Sequence, residues 1–229
     1  MLTAALLLLL LCAPPDDGLL QPYREAAQQW EDEVAELADR NSQQIAGPED
    51  ILFVGSSSIR LWDSIEEDMK PWSVVRRGYG GAKYSDVAVF LDRLVSGHKP
   101  KAIVYFAAND IANNPEKDKT PQEVAALAKY IVEFTQDKLP GTPIYFIELT
   151  TTPSRFAVRE QIAEANERIM KVLESHPKCY FIPTKDLICD AAGVPKEELF
   201  CDDRLHLSQA GYDLWAQRIK ASLEKQLAP

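Results

Sequence analysis

Basic residues are in short supply. The 229-residue chain has 25 Lys and Arg against 35 Asp and Glu, a formal charge of −10. Such a balance provides no basic face for a general affinity for nucleic acid or anionic membranes. Cysteine is scarce as well: four in a chain of this length are too few for a disulfide scaffold. None has C-x-x-C or metal-type spacing, which excludes a zinc site. Histidine occurs only at His98, His176 and His206, so imidazole chemistry has three places to come from. The apolar run Ala4–Leu11 falls well short of the roughly 20 residues that a membrane-spanning helix needs. No internal repeat or low-complexity tract follows it. What is present is ordinary for a globular protein, with 46% hydrophobic and 26% charged residues. The length suits one domain, or one domain with a short appendage, burying a core without staples.

The run Ala4–Leu11, followed by Cys12, Ala13, Pro14 and Pro15, suits the apolar part of an export signal. No Lys or Arg precedes it, so an unusual cytosolic N-terminus is the competing reading. Residues 1–17 are expected to be a leader, which makes the protein exported, periplasmic or secreted, with no stable membrane insertion after processing. Cys12 after the leucine run is similar to a lipoprotein signal, which would anchor the chain through lipid there. Beyond the leader stand Cys179, Cys189 and Cys201. Cys189 and Cys201 flank a loop with Gly193 and Pro195, so a bridge between them and buried free thiols are both open.

Residues 22–45 predict a helix with Tyr23, Ala26, Ala27, Trp30, Val34, Leu37 and Ala38 roughly on one side, stopped by Gly47 and Pro48. Five apolar runs follow: Ile51–Val54, Ser73–Val75, Ala102–Phe106, Ile144–Ile147 and Tyr180–Ile182. Continuous apolar runs bounded by turn residues are what strands buried on both faces look like. Helical patterns lie between and after them at 84–96, 121–138, 155–174 and 208–225. Thr120-Pro121 marks the start of the second and Ser208 the start of the last. Strand–helix alternation predicts a three-layer α/β fold, with ligands beyond the carboxyl ends of the strands. The expected division is a leader over 1–17, an N-terminal helical segment over 18–48 packed on the domain, and a domain over 49–229.

The residues after each strand are therefore the ones to read for chemistry. Gly55-Ser56-Ser57-Ser58 offers hydroxyls at a sharp strand-to-helix turn, or three helix caps. Gly78-Tyr79-Gly80-Gly81 lets backbone N–H groups approach a ligand, or is a plain turn. Asn109 can donate an amide hydrogen bond to an oxyanion, or close an Asx turn with Asp110. His98 and His176 read as surface loop residues. His206 has Asp203 three residues upstream, close enough to hold one ring nitrogen and leave the other as a base; the plainer reading is a surface histidine. Together these segments supply a nucleophile, oxyanion donors, a base and an orienting carboxylate, the inventory of a serine acyl hydrolase.

On these residues the chain resembles the SGNH/GDSL hydrolase family from about Ile51 to Trp215. Phe53-Val54-Gly55-Ser56-Ser57-Ser58 looks like the first family block, Arg77-Gly78-Tyr79-Gly80-Gly81 the second, Ala107-Ala108-Asn109-Asp110 the third, and Asp203-Arg204-Leu205-His206 the last. Two positions depart from the pattern. Ser56 stands where the family has Asp. Ala107 stands where it has Gly, which is expected to narrow the pocket floor by one methyl. The resemblance implies a flavodoxin-like α/β/α sandwich with five parallel strands in the order 2-1-3-4-5, and no metal or organic cofactor. It places the nucleophile on Ser57, the base on His206 and the carboxylate on Asp203, with Asp202 as a substitute. The oxyanion donors fall on the N–H groups of Ser57 and Gly81 and the side chain of Asn109. The implied activity is a serine esterase or acylhydrolase acting on small carboxylic esters, including acetyl groups on sugars. Nothing resembles a hydrophobic lid. Arg155 and Phe156, beyond the fourth strand, read either as pocket lining, with Arg155 substrate-binding, or as a solvated helix start. Trp62 is expected to pack under the first helix after the nucleophile turn. The alternatives are a flavodoxin-like ligand-binding module without chemistry and a carbohydrate-associated protein with a decayed site.

Overall fold

The structure, a computed structural model, describes residues 17–41 and 43–227. The expected leader lies outside the described residues except for Asp17, and lipidation at Cys12 lies outside them altogether. Five strands form one parallel sheet: β1 (Asp50–Gly55), β2 (Ser73–Gly78), β3 (Ala102–Phe106), β4 (Ile144–Ile147) and β5 (Cys179–Ile182). Their order is β2-β1-β3-β4-β5. Five principal helices accompany them: α1 (Glu31–Arg40), α2 (Tyr84–Val95), α3 (Pro121–Lys138), α4 (Arg159–Glu174) and α5 (Gln209–Leu227).

The apolar runs are continuous because both faces of the sheet are covered. Leu52 and Val54 of β1, Ile103 and Tyr105 of β3, and Ile144 and Phe146 of β4 pack with α2, α3 and α4. Ile51 and Phe53, Val104 and Phe106, and Tyr145 and Ile147 point the other way, towards α5. Each fully buried aliphatic or Phe side chain contributes roughly 1.5–3 kcal/mol. Trp62 is wholly buried and stacks on Tyr212 of α5, with ring centroids 5.1 Å apart. At the start of α3, Thr120 Oγ1 accepts from Glu123 N–H while Glu123 Oε2 accepts from Thr120 N–H, a reciprocal cap.

Two expected helices differ in their starts and ends. Residues 22–45 do not form one helix. Short turns over Gln21–Tyr23, Arg24–Ala27 and Gln28–Trp30 lead into α1, which ends at Arg40. The chain leaves the helix there because its next polar groups have long-range partners. Asn41 Oδ1 accepts from Arg77 Nε at 2.7 Å, and Gln44 O accepts from Arg77 Nη2 at 2.6 Å. The helix expected from 155 begins at Arg159, after a 3₁₀ turn over Pro153–Val158 that ties Arg155 back to the loop following β3.

His98 corrects the surface reading. It is 2% exposed; its Nδ1 accepts from Ala46 N–H at 2.9 Å, and its Nε2 lies 3.1 Å from Asn41 Oδ1. The flanking Gly97 and Lys99-Pro100 suggested a loop, but the N-terminal segment folds over it. His176 is half-buried and bonds to Val172 O within its own helix end. Cys179, Cys189 and Cys201 are free thiols, the first two buried. No helix among the described residues is long and apolar enough to cross a membrane.

Candidate active site

The sheet register sets the geometry. Gly55 at the end of β1 is level with Gly78 of β2 and Phe106 of β3, so the three following loops emerge side by side. β1 lies where the strand order reverses, the place where such sheets bind ligands. Gly55 is required by this crowding: a Cβ there would sit 1.8 Å from the Phe106 carbonyl oxygen.

Ser57 opens the one-turn helix Ser57–Arg60. Ser56 holds the turn through its backbone, donating to Phe106 O and accepting from Ile59 and Arg60 N–H. The Ser57 hydroxyl lies 2.9 Å from His206 Nε2, across 149 residues of sequence. On the other side of the ring, His206 Nδ1 is 2.5 Å from Asp203 Oδ2. Asp203 Oδ1 also accepts the backbone N–H groups of Leu205 and His206 at 2.9 and 3.0 Å. Burial pushes the Asp203 carboxyl up, but the hydrogen bonds from His206 and from these two N–H groups outweigh it and hold the group below its ordinary value. An ionised Asp203 requires a proton on Nδ1, which leaves Nε2 as acceptor for the serine hydroxyl. Ser58 also lines this pocket, and its backbone carbonyl accepts from Tyr212 Oη.

Asn109 follows β3, and its Nδ2 donates to Ala82 O at 2.9 Å. Its Oδ1 accepts from Arg155 Nη2 at 2.5 Å, while Arg155 Nη1 donates to Ala108 O at 2.7 Å. Among the described residues, the backbone N–H groups of Ser57 and Gly81 have no protein acceptor. The neighbouring Asp110 serves the scaffold instead, accepting from Tyr84 N–H at the start of α2 and pairing with Lys119.

Ser57, Asn109, Arg155 and His206 line one cavity of about 20 Å³, floored by Phe106 and Trp215. That is the space of little more than one water-sized group. Arg155 is buried at 7% exposure, which excludes the solvated helix start; Phe156 does not line the cavity and instead lies under Arg159. Ala107 is buried in the core rather than in the cavity wall, so its methyl does not narrow the floor. Asp202 is exposed, and Asp203 is the carboxylate on the ring.

The sequence did not point to Thr150 and Thr152, which line the cavity beyond β4; Thr150 Oγ1 is buried without a hydrogen-bond partner. Their position after a strand was the available signal. Nor did it point to Trp30, whose ring covers Gly80: a Cβ on Gly80 would lie 2.1 Å from it. Among the described residues, no group of three or more His, Cys, Asp or Glu could hold a metal ion.

Comparison of the sequence with curated proteins gives no match. Several solved structures share the fold. A Streptococcus pneumonia protein solved as a candidate platelet activating factor has 22% identity over 91% of this chain and 99% of its own, with a TM-score of 0.74. A GDSL-like lipase from Bacteroides thetaiotaomicron has 18% identity over 87% and 97%, TM-score 0.66. A lipase/acylhydrolase from Enterococcus faecalis has 21% identity over 81% and 98%, TM-score 0.58. At these identities the likeness is one of fold. The sequence match reaches further, because the family model of the GDSL-like Lipase/Acylhydrolase family covers residues 45–214. Ser57, Asn109 and His206 share one cavity, which no residue from Gly78 to Gly81 lines, and the chain belongs to the GDSL-like lipase/acylhydrolase family and is an ester hydrolase.

Proposed function

We propose that this hydrolase is a serine esterase that cleaves small carboxylic esters through a covalent acyl-enzyme. The observation that carries the reading is the continuous hydrogen-bonded run from Ser57 Oγ through both ring nitrogens of His206 to Asp203. His206 Nε2 takes the hydroxyl proton as Ser57 Oγ attacks the ester carbonyl. The carbonyl π electrons move to oxygen, and that oxyanion is held by the N–H groups of Ser57 and Gly81 and the amide of Asn109. Collapse breaks the bond to the alcohol, which leaves with the proton from His206. Water then attacks the acyl-enzyme by the same route and frees the acid and Ser57. Asp203 keeps the imidazole oriented and stabilises its protonated form.

The absence of a hydrophobic lid in the sequence and the narrow pocket beside Ser57 support small esters, such as an acetyl group on a sugar, as the substrate class. We take residues 1–17 as an export leader, 18–48 as a packed helical segment and 49–229 as the hydrolase domain. The test is labelling with a fluorophosphonate probe and mass spectrometry of the modified peptide. Modification at Ser57, lost in Ser57→Ala along with hydrolysis of acetyl esters, is the expected result. Labelling at Ser56 or Ser58 would displace the nucleophile by one. No labelling at all would favour a ligand-binding module without chemistry.

A further inference from the structure

Arg155 is a buried guanidinium whose hydrogen-bond partners are both neutral, the carbonyl of Ala108 and the amide oxygen of Asn109. No carboxylate contacts it among the described residues. The nearby Asp110 is paired with Lys119 and bonded to Tyr84 N–H. The negative charges of Asp118 and Asp110 act on it only from a distance, and a buried cation with no carboxylate in contact is expensive, so its placement calls for a reason. The Asn109 amide supplies one. The two ends of an amide are alike in shape and opposite in hydrogen-bonding character. Arginine can only donate, and the Ala82 carbonyl can only accept. Arg155 therefore demands Oδ1 on its side, and Ala82 demands Nδ2 on the other, where the bond is 2.9 Å. One N–H of Asn109 is consumed by Ala82 and the second is left for the cavity that Asn109 shares with Ser57 and His206.

We propose that Arg155 is a positioning residue for the oxyanion site, fixing the orientation of the Asn109 amide and polarising it through a charge-assisted hydrogen bond to Oδ1. A donor opposite the positive fork is a stronger donor, and it is held ready before charge develops on the substrate. Arg155 thus acts through Asn109 and makes no bond to substrate. The proposal rests on the esterase reading above, since it needs an oxyanion to stabilise.

The test is a double-mutant cycle on acetyl ester hydrolysis with Arg155→Gln, Asn109→Ala and the double variant, each checked for folding by thermal unfolding. Arg155→Gln should lower kcat about 10- to 100-fold and leave KM within about threefold, as expected for an interaction made in the transition state alone. The double variant should be no slower than Asn109→Ala, because the role of Arg155 vanishes with its partner. Arg155→Lys, which keeps the charge but cannot bridge both oxygens, should fall between wild type and Arg155→Gln, and it replaces the glutamine variant in the cycle should that one not fold. The ratio of rates on a neutral acetyl ester and an anionic succinyl half-ester should not change in either variant. Multiplicative losses in the cycle, or a loss confined to the anionic ester, would overturn the proposal and make Arg155 a substrate contact. Full activity in Ser57→Ala would overturn the Ser57 acyl-enzyme on which the proposal rests, a separate outcome.

Discussion

Asn109 shows how much one side chain can hold. Its amide has a donor-only neighbour, an acceptor-only neighbour and one N–H left over, so its spare hydrogen points by elimination rather than by chance. Truncation to alanine removes that donor without touching Ser57, His206 or Asp203. Loss of one oxyanion donor typically costs about 10²–10³ in kcat, roughly 2.7–4 kcal/mol of transition-state stabilisation. Asn109→Ala should show a loss of that size in steady-state kinetics on acetyl esters, with fluorophosphonate labelling still directed to Ser57. A rate within twofold of wild type would remove Asn109 from the oxyanion site. The residue type and its place after a strand were legible in the chain. The clamp by Arg155 was not, because 46 residues separate the partners and no local pattern couples them.

At the scale of elements, the N-terminal segment is fastened to the sheet by a buried polar cluster. Arg77, at the end of β2, is wholly buried and donates to Asn41 Oδ1, Gln44 O and Arg76 O. His98 meets the same Asn41 oxygen through Nε2, which must therefore carry the proton, while Nδ1 accepts from Ala46 N–H. Protonating Nδ1 would break that last bond and set a second cation beside Arg77. Burial, and then the Arg77 charge, push the His98 pKa down to about 4. In the unfolded chain the imidazole returns to its ordinary value of 6.5. Below that pH the unfolded state binds a proton that the folded state refuses, so stability falls as pH drops through this window. The loss by pH 4 should be roughly 3 kcal/mol. Urea unfolding at pH 7, 5.5 and 4 should show it, and His98→Gln should flatten the slope over that range. An unchanged slope in the variant would mean that other groups set the acid sensitivity.

Across the whole molecule, the segment that precedes the family match also braces the cleft. Trp30 lies on Gly80 and meets Tyr79 edge-on, with ring centroids 6.0 Å apart. Gly80→Ala should force the indole aside and destabilise the fold by about 1–3 kcal/mol, the usual effect of overpacking. Adding Trp30→Ala should recover part of the loss specific to Gly80→Ala. Chemical denaturation of the two single variants and the double reads this directly; fully additive losses would show that the ring is not what Gly80 makes room for. The five apolar runs and the Thr120-Pro121 helix start were readable because a strand covered on both faces, or a helix cap, writes its environment into a few consecutive residues. The short blocks around Ser57, Gly81 and Asn109 were picked out by residue type and position after strands, and His206 by its place before the last helix with Asp203 three residues upstream. His98 was misread, and the roles of Trp30 over Gly80 and of Arg155 against Asn109 were not legible, because they depend on neighbours tens of residues away.

Local chemistry therefore determined which segments are strands and which side chains are candidates for the site, since both depend on pattern and residue type. Packing settled the rest: the 2.9 Å approach of Ser57 to His206, the burial of His98 and the polarity of the Asn109 amide. Those are distances between segments far apart in the chain, and only the parallel register and the covering helices bring them together.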